Sequence, residues 1–178
     1  MSQSNAGKRT SKKISHCLAG HTLILLYDGT MKELKDIKVG DEICGVEAVG
    51  RGFNYTKAIV LDIGKTKKKS YIITLQNNRQ VICSGEQLWL TDKGWVYTMR
   101  NSKKQVLSVR QTMRGFIDYP TQEHFKELNA FEGIKAKGST HLRVKSIKQY
   151  QSEQILYTLI TSTQSFIANG VVAYSSSL

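Results

Sequence analysis

The sequence predicts an all-β fold. Three observations carry that reading: β-branched and aromatic residues gather in short runs spaced roughly 8–12 residues apart, dipeptides suited to tight turns separate the runs, and no long amphipathic helix intervenes to build a parallel βαβ unit. At 178 residues the chain is long enough for one ordinary domain, or one domain with an insertion, and too short for two large ones.

Strands are expected at 22–27, 42–49, 56–63, 70–75, 80–84 and 88–91, each rich in Ile, Val, Leu, Thr, Tyr or Trp. Asp28-Gly29 follows the first run and Asn77-Asn78 lies between 70–75 and 80–84. Asp, Asn and Gly tolerate positive φ, so both dipeptides predict hairpins and local strand pairing. The short segment 31–37 is the one helical candidate in this half. Between 111 and 140 the character changes: Pro120 precedes 121–131, where Phe125, Leu128 and Phe131 fall at helical spacing, predicting an inserted loop with one helix. Strands resume at 141–149 and 154–161, and 166–174 reads as a hairpin about Asn169-Gly170. No internal repeat or low-complexity tract is present.

Apolar residues make up 40% of the chain, yet no apolar run approaches the roughly 18 residues needed to cross a bilayer. A soluble, cytoplasmic domain is expected, because residues 1–16 are polar and basic and lack the apolar centre of a secretory signal. Cys17, Cys44 and Cys83 are odd in number, widely spaced and without a CxxC pair, so neither a disulfide framework nor a zinc knuckle is indicated. Cys44 and Cys83 sit inside strand patterns, where free cysteine is a common core residue. The net charge of +12 is uneven: +4 in 1–16, +3 in 17–100, +6 in 101–150 and −1 in 151–178. The run Lys65, Lys67, Lys68, Lys69 reads as a solvated turn or an edge-strand guard. Arginines do not interleave with aromatics as they do in base-reading surfaces.

Three blocks remain, in order. The first is Cys17-Leu-Ala-Gly-His-Thr-Leu-Ile, with Asp28-Gly29-Thr30 and Ile37-Lys-Val-Gly-Asp-Glu42 after it. The second is Lys67-Lys-Lys-Ser-Tyr-Ile-Ile-Thr-Leu75 and Gln80-Val-Ile-Cys-Ser-Gly-Glu-Gln87, closed by Gly94-Trp95. The third is Arg143-Val-Lys-Ser-Ile, Leu156-Tyr-Thr-Leu159 and Phe166-Ile-Ala-Asn-Gly-Val-Val172. Together they resemble the conserved blocks of inteins and other Hint (hedgehog/intein) domains, over most of 17–175 and in the family's order. The resemblance implies a horseshoe-like all-β Hint fold at 17–175, with 1–16 and 176–178 as upstream and downstream flanks. The insertion at 111–140 falls where longer members carry a homing endonuclease; it is far too short for one, so a minimal intein is implied.

The resemblance also assigns roles. Cys17 is the nucleophile that attacks the carbonyl of His16 and turns an amide into a thioester; a thiol suits both that attack and later departure. The family's Thr-x-x-His, which polarises the scissile amide and protonates its nitrogen, maps to Ser84 and Gln87. A serine hydroxyl can still hydrogen-bond the peptide, but an amide has no proton to give, and losing a general acid slows such a step by about 10²–10⁴-fold. Thr158 stands where the family often has an aspartate, and Gln164 where it often has a histidine. Tyr174 and Ser175 occupy the closing His-Asn positions; asparagine cuts the chain through its side-chain amide nitrogen, which serine lacks. Ser176 retains the downstream hydroxyl that would accept the transferred segment. His21 replaces a common aspartate near Cys17 and reads as an exposed turn residue; His124 and His141 belong to the insertion and its border.

These departures leave three readings of the same fold: a precursor engineered to stop before its late steps, a Hint or bacterial intein-like domain that only cleaves at its N-terminal junction, or an inactive copy. A basic all-β module that binds nucleic acid is the alternative from another class. The expected partners are the chain's own flanking segments, with no small-molecule ligand, no membrane and at most non-specific nucleic acid. No metal or organic cofactor is implied, and a monomer is expected.

Overall fold

A computed structural model describes residues 16–99, 106–117, 132–150 and 152–175. Its strands are β1 (Leu18–Ala19), β2 (Leu23–Leu25), β3 (Met31–Glu33), β4 (Glu42–Val49), β5 (Gly52–Lys68), β6 (Ser70–Leu75) and β7 (Gln80–Ser84). They continue as β8 (Leu88–Thr91), β9 (Gly94–Tyr97), β10 (Thr112–Arg114), β11 (Gly138–Gln149), β12 (Gln154–Thr161), β13 (Ser165–Ala168) and β14 (Val171–Tyr174). They join edge to edge in the order β3-β2-β13-β14-β8-β10-β11-β6-β7-β1-β12-β5-β4, with β9 on β8. The all-β expectation holds.

The turn chemistry read from the sequence sets the local pairing. Gly29 (φ 89°), Asn78 (φ 67°) and the pair Asn169 (φ 47°) and Gly170 (φ 87°) take the left-handed conformations that tie β2 to β3, β6 to β7 and β13 to β14. The expected runs 42–49, 70–75, 80–84, 88–91 and 154–161 coincide with β4, β6, β7, β8 and β12. Three readings change. The 31–37 candidate is not an α-helix: β3 is followed by a single 3₁₀ turn at Leu34–Asp36, because the Leu34 and Lys35 amides already donate to Thr22 O (2.8 Å) and Gly20 O (2.9 Å). The 56–63 run is the middle of the much longer β5. Within 111–140, β10 pairs with β8 and β11, and the start of β11 pairs back onto β10; the expected helix at 121–131 lies outside the described residues.

β5 serves two partners. Its first half, from Gly52 to Ile59, pairs with β4, and its second half, from Val60 to Lys68, pairs with β12. The basic run is therefore the far end of a strand: Lys65 and Lys67 are exposed on β5 opposite Tyr157 and Ile155. β4 then returns to the other end of the sheet, where Leu26 bridges Ile43, Tyr27 N donates to Glu42 O (3.0 Å) and Val46 N donates to Ser165 Oγ (2.8 Å). These contacts tie β4 to β2 and β13, where an open sheet would leave its edge unpaired.

Alternate residues along the central strands feed two cores. Ile24, Ile43, Trp89, Phe166, Val171 and Ala173 pack in one cluster. Their neighbours Leu25, Cys44, Leu90, Ile167 and Val172 pack in the other. With successive side chains on opposite faces, strands covered on both sides read as continuous apolar runs, as Val171-Val172-Ala173 does. Cys44 and Cys83 are fully buried members of these cores, as the sequence indicated.

Candidate functional site

β1 is only two residues long, yet it lies between β7 and β12, with Leu18 opposite both Cys83 and Tyr157. That register sets Cys17 beside the end of β7. Two hydrogen bonds hold it: Ser84 N donates to Cys17 O (2.9 Å), and Cys17 N donates to Ser84 Oγ (3.3 Å). One step further along β12 from Tyr157 is Thr158, which is buried.

Ser84 opens a turn, Ser84-Gly85-Glu86-Gln87, closed by Gln87 N donating to Ser84 O (3.2 Å). A β-carbon at position 85 would sit against the Met99 carbonyl, so the turn needs glycine there. The Glu86 carbonyl accepts from Nδ1 of His16 at 2.9 Å; a carbonyl only accepts, so Nδ1 carries the proton. The His16 ring also stands edge-on to Tyr174 (centroids 5.3 Å apart), and Tyr174 in turn to Trp95 (5.2 Å). The residue before Cys17 thus touches the last strand of the domain.

Gln87 is fully buried. Its Nε2 donates to Leu88 O (2.9 Å) and Tyr174 O (2.8 Å), while Oε1 has no hydrogen-bond partner. Position 87 therefore holds the end of β14, and the Cys17 amide nitrogen is held by Ser84. Ser175 is fully buried, with its N donating to Gln164 O (3.0 Å) and its Oγ at 3.2 Å from Thr161 Oγ1. Tyr174 Oη donates to Gln164 Oε1 at 3.3 Å. Ser176 lies outside the described residues.

Cys17 is a neutral thiol at ordinary pH. Burial is the main cause, pushing its pKa from 9.0 up to about 11; the Lys68 ammonium pulls the other way, the Glu86 carboxylate adds to the rise, and a Ser84 hydrogen bond lowers it. Lys68 and Glu86 are themselves paired at 3.1 Å. Both line a cleft of about 320 Å³ beside Cys17, together with Ser84, Tyr71 and Met99. A second cleft, of about 420 Å³, opens at the other end of the junction between Phe53, Trp95, Thr163, Gln164 and Tyr174.

His16, Cys17, Ser84, Gln87, Tyr174 and Ser175 thus converge through direct contacts or shared neighbours, and Thr158 joins through the β1–β12 register. His21 and His141 are exposed and away from this cluster's contacts; His124 is outside the described residues. Sequence reasoning missed Lys68, Glu86, Thr161 and Trp95. Lys68 stood out only as one of a charge run, and Glu86 acts at His16 through its main chain, which no residue type reports.

No protein-family model matches the chain, and no curated protein matches it by sequence. Solved structures do. A Ssp DnaB mini-intein variant aligns with TM-score 0.70 at 19% identity, covering 91% of this chain and 94% of that one. The gp41-1 intein aligns with TM-score 0.61 at 23% identity, over 89% and 98%. A bacterial intein-like domain from Clostridium thermocellum aligns with TM-score 0.64 at 14% identity, over 90% and 99%. The architecture is that of a minimal intein, the Hint fold the sequence blocks resemble.

Proposed function

We propose that the chain is a self-processing Hint domain of the intein type, acting once on its own flanking segments. The observation that carries this reading is the convergence at one point of the His16–Cys17 bond, hydrogen-bonded to Ser84 through its nitrogen, and the last strand, touching His16 through Tyr174. A domain whose two ends meet can pass an acyl group from one junction to the other with little loss of entropy.

In the first step Cys17 Sγ attacks the His16 carbonyl carbon. The C–S bond forms, the C–N bond breaks, and the thiol proton ends on the Cys17 amine. Ser84 Oγ accepts from the nitrogen that leaves and so orients the amide plane. Lys68 is the cation that favours the thiolate. In the second step the Ser176 hydroxyl attacks the thioester carbon: the C–O bond forms, the C–S bond breaks, and the hydroxyl proton ends on the released Cys17 sulfur. The third step of splicing needs a side-chain amide nitrogen at position 175, and Ser175 has none, so the pathway stops at the ester or diverts to thiol-induced cleavage after His16.

Intact mass after incubation with dithiothreitol tests this. The unaltered chain is expected to lose residues 1–16, and Cys17→Ala to remain whole. An unchanged mass for the unaltered chain would overturn the reading.

A further inference from the structure

We propose that the chain carries a second self-cleaving bond, Tyr174–Ser175, opened by an N-to-O acyl shift onto the Ser175 hydroxyl with Gln87 binding the oxygen of the attacked carbonyl. This deepens the self-processing reading and rests on it.

Three contacts hold this one peptide unit. Its carbonyl oxygen accepts from Gln87 Nε2 at 2.8 Å, its nitrogen donates to Gln164 O at 3.0 Å, and the Ser175 hydroxyl lies 3.2 Å from Thr161 Oγ1. The direction of that last bond follows by elimination. Thr161 Oγ1 gives its single proton to Ser165 O (2.9 Å) and accepts from Ser165 N (3.0 Å), so Ser175 is the donor and Thr161 the acceptor. The Ser175 hydroxyl proton is thereby pointed at Thr161.

Gln87 shows the same bias towards this bond. It is buried with Oε1 unpaired, an arrangement that costs stability, while both amide hydrogens rest on carbonyls. A buried donor on a carbonyl oxygen is what stabilises the tetrahedral stage of acyl transfer. A serine hydroxyl attacks the preceding carbonyl carbon through a five-membered ring. Ser175 Oγ bonds to the Tyr174 carbonyl carbon, the C–N bond breaks, and the hydroxyl proton ends on the freed Ser175 amine. Hydroxylamine then displaces the ester oxygen, leaving Tyr174 as a hydroxamate and releasing residues 175–178.

The test uses the full chain with Cys17→Ala, which removes thioester chemistry, incubated natively with hydroxylamine at neutral pH and read by mass. Release of 175–178 is expected, retained in Ser175→Thr, abolished in Ser175→Ala, and slowed on the order of 10²-fold in Gln87→Met. No release, release that persists in Ser175→Ala, or cleavage after Ser175 instead of before it overturns the proposal. An undiminished rate in a folded Gln87→Met removes Gln87 from it. Loss of 1–16 from the unaltered chain with dithiothreitol reports the Cys17 step separately, so the two readings fail independently.

Discussion

Cys17, the nucleophile of the proposed first step, is held as a buried neutral thiol. Burial raises its pKa to about 11, so at neutral pH the thiolate is a small fraction that grows tenfold per pH unit until that value is reached. The rate of dithiothreitol-induced loss of 1–16, at saturating thiol, is therefore expected to climb with near-unit logarithmic slope from pH 7 to 10. A rate that levels off by pH 8 would mean the thiol is already ionised. Ser84→Ala leaves the buried Cys17 N–H without its acceptor; it is expected to lower stability by about 1–3 kcal/mol in denaturant melts and to slow cleavage.

Among the elements, the β13–β14 hairpin matters most, because it delivers Tyr174 and Ser175 to β8. Its turn does more than reverse the chain. Asn169 Oδ1 accepts from Leu23 N at 2.8 Å, and Asn169 Nδ2 donates to Gln80 O at 2.8 Å, tying the hairpin to β2 and β7. Asn169→Ala loses both bonds and puts at φ 47° an alanine, which lacks the polar side chain that lets asparagine tolerate the left-handed region. A cost of about 2 kcal/mol is expected, read as a lower thermal midpoint. This hairpin was legible from Asn169-Gly170 and the apolar runs around it. β10 was not: three residues, Thr112–Arg114, are too few to show a period, and they are a strand only because β8 and β11 supply partners on both sides. The 31–37 helix failed for the complementary reason, since its first amides were claimed by the preceding turn.

For the molecule as a whole, the decisive feature is that one sheet closes on itself. β5 changes partner midway, β4 meets β2, and His16, just ahead of β1, touches Tyr174 at the end of β14. The same closure buries all three thiols, which has a consequence for alkaline stability. Cys17 and Cys83 are raised to about 11 and about 12, and Cys44 well above the ordinary 9.0, all by burial. Between pH 9 and 12 the unfolded chain loses these protons while the folded one keeps them. Fewer bound protons in the unfolded state make stability fall as pH rises. The thermal midpoint should drop across that window, and less steeply in Cys44→Ala. The charge of +12 makes a different prediction: any binding to duplex DNA should be weak and lost steeply with added salt.

Strand periodicity, turn dipeptides and the order of the three blocks were enough to predict the all-β Hint architecture and to single out positions 84, 87, 174 and 175. These are local signals: a side-chain alternation or a tolerated positive φ is written in neighbouring residues. Which end of the domain each substituted residue serves was decided only by tertiary structure. Gln87 lies three residues from Ser84 in the chain, yet one holds Tyr174 O and the other Cys17 N. Hydrogen-bond partners across a closed sheet depend on register between distant strands and on main-chain carbonyls that every residue type carries alike.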